Sequence, residues 1–178
     1  HDFKEVEAAY HRLIHNSELL NKPDKKTMLL NNIGYEYYRR KDYQNAKRAF
    51  KESLTLVKKP SVLYLQRWYN YLKCCFEGKL MRKSELLKHA REGLTMAKVQ
   101  DANVYKIVFR LLILQIEGND EQYYQLIEKE ALPYFESTKS EMLKKRFGKE
   151  IYHYYVKMEQ YDRADPISNQ LIDEIQSE

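Results

Sequence analysis

At 178 residues the chain is the size of one domain or one short helical solenoid, and 43% hydrophobic residues beside 32% charged ones supply a core and a solvated surface. Five Gly, four Pro and no alternating strand pattern exclude a turn-rich β protein, and neither a signal peptide nor a run of about eighteen apolar residues is present. The net charge is +5, but Lys and Arg are interleaved with Asp and Glu. The nearest approach to a basic run is Lys144-Lys145-Arg146, so direct nucleic-acid binding by this chain is not expected.

The first predicted element, His1 to Asn21, is one amphipathic helix with Phe3, Val6, Tyr10 and Leu13 on its apolar face. Asn21-Lys22-Pro23-Asp24 breaks it. Thr27 to Pro60 then reads as two amphipathic helices joined at Lys41-Asp42. Leu30, Ile33, Gly34 and Tyr37 mark the packing face of the first helix. Tyr43, Ala46, Phe50, Leu54 and Val57 mark that of the second. Gly34 and Ala46 are small where the helices approach most closely.

Pro60-Ser61 restarts a helix from Val62 to Glu77, with Leu65, Trp68, Tyr69, Leu72 and Phe76 on overlapping apolar faces. Lys83 to Val99 returns along Leu86, Leu87, Ala90, Leu94 and Ala97, and Gly93 inside it implies close approach of a neighbouring helix. Asp101 to Glu117 is apolar nearly all round and is expected at the centre. Gly118-Asn119-Asp120 is a turn, and Pro133 is expected to kink or end the following helix, Glu121 to Phe135. The last unit, Ser140 to Ile175, carries Phe147, Ile151, Tyr155 and Met158, then Leu171, Ile172 and Ile175. Pro166 is expected near the start of its second helix, where a missing N–H costs little.

Thr27 to Pro60 resembles one tetratricopeptide repeat, with its hydrophobic, Leu-Gly, Tyr, Ala, Phe and closing Pro pattern over a period of about 34 residues. Ser53 stands where that family usually has Ala, and Pro60 comes late. The Asp-Tyr-x-x-Ala turn at Asp42 to Ala46 recurs around Tyr161-Asp162-Arg163-Ala164, and the intervening periods average about 39 residues. The reading is an all-α, right-handed superhelical solenoid in a single domain over 1–178. Segment 1–21 is the second helix of a truncated repeat, and 27–60, 61–99, 101–135 and 140–178 are helical hairpins, nine helices in all. An amphipathic helix without a partner implies that the natural protein extends toward its N-terminus.

No Gly-rich phosphate loop occurs. His11 and His15 lie one helical turn apart, but no Glu or Cys completes a metal set, so they read as surface residues. Adjacent Cys74 and Cys75 form neither a disulfide framework nor a metal site, and read as core residues of a protein in a reducing cytoplasm. Neither catalysis nor a cofactor is expected. What remains is a binding surface, because the first helices of successive hairpins line the concave side of such a solenoid. Asn31, Tyr35 and Tyr38 fall there in the clear repeat, Asn70 and Tyr71 in the next helix, then Lys106 and Arg110, and Lys149 and His153. Asn suits holding an extended peptide backbone, and the cations suit a carboxylate.

A finer resemblance comes from Ile127 to Phe135 (IEKEALPYF), the following Tyr154-Tyr155, the turn at Tyr161-Asp162 and the sixteen Tyr. Together these are similar to the C-terminal half of peptide-sensing regulators of the Rap–Rgg–PlcR class of Gram-positive bacteria, nearest the neutral-protease-regulator type. The resemblance implies a short peptide as ligand, homodimer formation through the repeats, and DNA contact only through a helix-turn-helix domain that this chain lacks. The groove asparagines of that class correspond to Asn31 and Asn70. The alternative is a general adaptor docking the tail of a partner protein, with no membrane association in either case.

Overall fold

The computed structural model describes the backbone of residues 2–175 and the side chains of 2–169; the side chains of Leu171, Ile172 and Ile175 lie outside the described residues. These residues form helices α1 (Phe3–Leu19), α2 (Pro23–Arg39), α3 (Tyr43–Thr55), α4 (Val62–Glu77), α5 (Lys83–Val99), α6 (Asn103–Glu117), α7 (Asp120–Leu126), a π-turn (Ile127–Ala131), α8 (Leu132–Ser137), α9 (Glu141–Lys157) and α10 (Tyr161–Ile175). Taking α7, the π-turn and α8 as one interrupted helix leaves nine, and no strand occurs among the described residues. Where the sequence reading gives one domain, the chain packs as two compact units, His1–Ile116 and Glu117–Glu178. The hairpin expected over 101–135 straddles their boundary.

Six helix ends share one device. Asn21, Lys41, Lys79, Asp101, Lys139 and Glu159 each take a left-handed backbone with φ between 49° and 62°. The residue after each donates its N–H five positions back, as in Asp42 N to Tyr37 O at 3.0 Å and Leu80 N to Cys75 O at 2.8 Å. This Schellman geometry satisfies carbonyls that the helix leaves open and reverses the chain within two residues. Glycine is its usual signal, so Asn, Asp, Glu and Lys at these positions concealed the recurrence. N-termini are capped conventionally, by Asp42 on Asn45 N, Ser61 on Tyr64 N and Asn119 on Gln122 N.

In the first unit, Leu30, Ile33 and Tyr37 of α2 are buried against Ala46 and Phe50 of α3. A Cβ at Gly34 would stand 2.8 Å from the Phe50 ring, so the ring occupies the space that the small residue leaves. Ser53 replaces apolar packing with a polar clasp. Its Oγ donates to Thr27 O at 2.9 Å while Thr27 Oγ1 donates to Ser53 O at 2.9 Å, all buried. Helix α3 ends at Thr55, so Val57 lies beyond it and not on its face. Helix α1 packs on α2 with Phe3 edge-on to Tyr37 at 5.5 Å and Arg40 over the Phe3 ring. Its buried positions are Ile14 and Ser17, whereas Leu13 is exposed, a rotation of one residue from the expected face. Further on, Gly93 of α5 admits Phe109 of α6, and a Cβ there would lie 2.4 Å from the ring.

In the second unit, Ile127, Ala131 and Phe135 pack with Phe147, Ile151, Tyr155 and Ala164. Phe135 and Phe147 stack at 5.8 Å. Pro133 does not end its helix: it sits in the first turn of α8, just after the π-turn, and the helix continues to Ser137. Pro133 has no N–H to give and the altered register of the π-turn precedes it. Pro166 is the sixth residue of α10, deeper than expected, and leaves the Asp162 carbonyl without its helical donor.

Candidate functional site

The first unit sets α2, α4 and α6 side by side through polar side chains. Asn70 Nδ2 of α4 donates to Asn31 Oδ1 of α2 at 3.0 Å. The Tyr38 hydroxyl of α2 donates to Glu77 of α4 at 2.6 Å. Lys73 Nζ then bridges Glu77 at 3.0 Å and Gln115 Oε1 of α6 at 2.5 Å. Helical spacing explains this: Asn70, Lys73 and Glu77 recur at three and four residues along one stripe of α4. The face is polar yet ordered, its amides and charges already committed between helices.

One member has no such commitment. Arg67, one turn before Asn70, is only 5% exposed. Its Nη1 donates to Gln66 Oε1 at 2.8 Å, while its Nε is sealed from solvent with no partner. No carboxylate pairs with it among the described residues. Burial lowers its pKa from the ordinary arginine value, and Tyr105 of α6 pushes the other way. A buried guanidinium without a counter-ion is costly.

The sequence-derived residues distribute unevenly. Asn31 and Asn70 are brought together, Tyr35 is exposed on the same helix and stacks on Tyr38 at 5.9 Å. Tyr71 is a correction. It is 9% exposed and stacks on Trp68 at 5.6 Å, whose indole donates to His89 O of α5 at 3.2 Å. One residue turns a helix by about 100°, which carries Tyr71 away from Asn70 and toward α5. Burial raises the Tyr71 hydroxyl pKa to about 12. Lys106 is held at the start of α6 by Asp101 at 2.5 Å and Asn103 at 2.9 Å, and Arg110 is exposed further along α6. Lys149 and His153 belong to the second unit, exposed one turn apart on α9, with His153 edge-on to Tyr152. Sequence reading missed Arg67, Lys73, Glu77 and Gln115; the stripe through Asn70 at helical spacing was the available signal.

Cys74 and Cys75 are fully buried, and burial raises the Cys74 thiol to about 12. Among the described residues no group of three or more His, Cys, Asp or Glu could hold a metal, and no helix is long and apolar enough to cross a membrane.

Small residues under aromatic rings, repeated hairpins and paired first helices define a tetratricopeptide-type helical repeat fold. The fold is shared with a solved structure, the apo form of the quorum sensor NprR from B. thuringiensis, at a TM-score of 0.70 and 22% identity. The match covers 86% of this chain and 43% of that one, so the chain spans less than half the length of this neighbour. No protein-family model and no curated protein sequence matches the chain.

Proposed function

We propose that the chain is the peptide-binding sensor portion of a cytoplasmic transcription regulator, with the α2–α4–α6 face as its ligand site. The observation that carries the reading is the Asn31–Asn70 pair, two amides on adjacent first helices at 3.0 Å. Each amide retains donor or acceptor capacity beyond that bond, which suits the alternating N–H and C=O groups of an extended backbone. The similarity of fold to a quorum sensor supports the same reading. A peptide seated there exchanges interhelical hydrogen bonds for bonds to itself, so it favours one arrangement of the hairpins over another by its differential contacts. In a regulator that change is passed to attached DNA-binding domains and to a homodimer. No step in this reading is catalytic.

The test is titration of the chain with pooled short peptides, read by thermal stability and by Trp68 fluorescence, with Asn31→Ala in parallel. A saturable stabilisation that Asn31→Ala weakens at least tenfold supports the site. Recovery of a folded partner protein, with no peptide binding at any concentration, turns the reading to an adaptor.

A further inference from the structure

The buried arginine one turn from Asn70 lacks a counter-ion among the described residues. Arg67 stands one turn from Asn70, 95% removed from solvent, with Nη1 on a neutral glutamine, Nε on nothing and no carboxylate opposite among the described residues. The surrounding charges do not neutralise it. Glu77, the acidic group on its own stripe, is taken by Lys73 and Tyr38. Tyr105, the titratable group that bears on it from α6, is half-buried and its own pKa is raised by desolvation, so it faces the guanidinium as a neutral hydroxyl. Buried cations ordinarily carry a partner or neutralise, and arginine does not neutralise at working pH. The missing partner is therefore an anion that the described residues do not supply.

We propose that Arg67 is the anchor for a carboxylate of the peptide bound on the α2–α4–α6 face, a proposal that rests on the peptide-binding reading above. The planar fork of a guanidinium matches a carboxylate with two parallel hydrogen bonds, and desolvation before binding removes most of the reorganisation cost. Position specifies the register. With the Asn31–Asn70 amides holding backbone one helical turn away, the carboxylate belongs to the residue next along the peptide, either an Asp or Glu side chain or the terminal carboxylate. A site kept ready in this way lowers the stability of the free chain, so the arginine has a signature that a structural strut lacks.

The experiment uses the full chain and three pools of seven-residue peptides, with binders recovered by affinity selection. The first pool has free C-termini and all residue types, the second is the same pool as C-terminal amides, and the third lacks Asp and Glu and is amidated. Arg67→Met, which keeps the length and apolar stem, is assayed for binding and for thermal unfolding. The expected result is recovery from the first pool and none from the third, at least a tenfold loss of affinity in Arg67→Met, and a melting temperature that rises by several degrees in that variant. Recovery from the second pool assigns a side-chain carboxylate, and its absence assigns the C-terminus. Peptides from the third pool binding as tightly as those from the first overturn the anchor and leave the peptide site standing. Equal binding by wild type and Arg67→Met does the same, and a melting temperature that falls in the variant makes Arg67 a structural residue. No recovery from any pool overturns both readings.

Discussion

Gly93→Ala separates two physical effects by the sign of one measurement. Gly93 lies inside α5, where exchanging glycine for alanine ordinarily stabilises a helix by about 1 kcal/mol. The added Cβ would stand 2.4 Å from Phe109 Cε1, 2.6 Å from Cζ and 2.8 Å from Cδ1. Carbon atoms prefer separations of about 3.5–4.0 Å, so the ring must retreat by roughly 1 Å. It has nowhere to go, since Phe109 is fully buried and meets Tyr69 edge-on at 5.9 Å. Overpacking of this kind costs about 1–3 kcal/mol, and the severity of the contact places it at the upper end. After the propensity gain, a net loss of about 2 kcal/mol is expected. Urea unfolding followed by Trp68 fluorescence reads this in the first unit. Phe109→Leu in the same chain makes room, so the double variant should lose less than the sum of the two single changes. Gly34→Ala, where the nearest approach is 2.8 Å, should be the milder change. A gain in stability for Gly93→Ala would refute the packing account outright.

Three further outcomes follow from particular contacts. Ser53→Ala restores the residue that the repeat pattern usually has, yet should destabilise by about 1 kcal/mol, because the buried Thr27 carbonyl loses its hydroxyl donor; Thr27→Val on that background should cost less than it does alone, as a double-mutant cycle in urea will show. Both cysteines should resist a thiol reagent at pH 8 until the chain is unfolded, since at a pKa of about 12 only on the order of one Cys74 in 10⁴ is thiolate and both side chains are sealed; rapid native-state labelling would count against the core placement. In the second unit, burial raises the Glu128 carboxyl, but hydrogen bonds from Arg163 at 2.5–2.6 Å and from Tyr155 outweigh it and leave the pKa below 4.5. A depressed carboxylate contributes stability that is present above its unfolded value and lost as pH falls through the folded one. Glu128→Gln should therefore lower thermal stability at pH 6–8 and flatten its decline below about pH 4.5, and an unchanged acid slope would show the pair contributes nothing.

The sequence alone determined the helical class, the succession of nine helices and the tight packing of Gly34 and Gly93, because period, helix punctuation and side-chain size are local properties. It could also bring Asn31 and Asn70 to one expected face, since equivalent positions of successive first helices share an orientation. The turns were legible only in part: six left-handed residues are Asn, Asp, Glu or Lys, and the packing of consecutive helices on each other forces a conformation that their types do not announce. Tyr71 was misplaced because α4 is apolar or aromatic around much of its circumference, so its rotation is set by Trp68 docking on α5. Arg67 was invisible for the opposite reason. An arginine in a charged sequence reads as solvated surface, and only the helices packed around it reveal a cation that is buried with no anion opposite among the described residues. Spacing fixes which residues share a stripe of one helix, but burial and the supply of counter-charges are properties of several helices together, and these the tertiary structure decided.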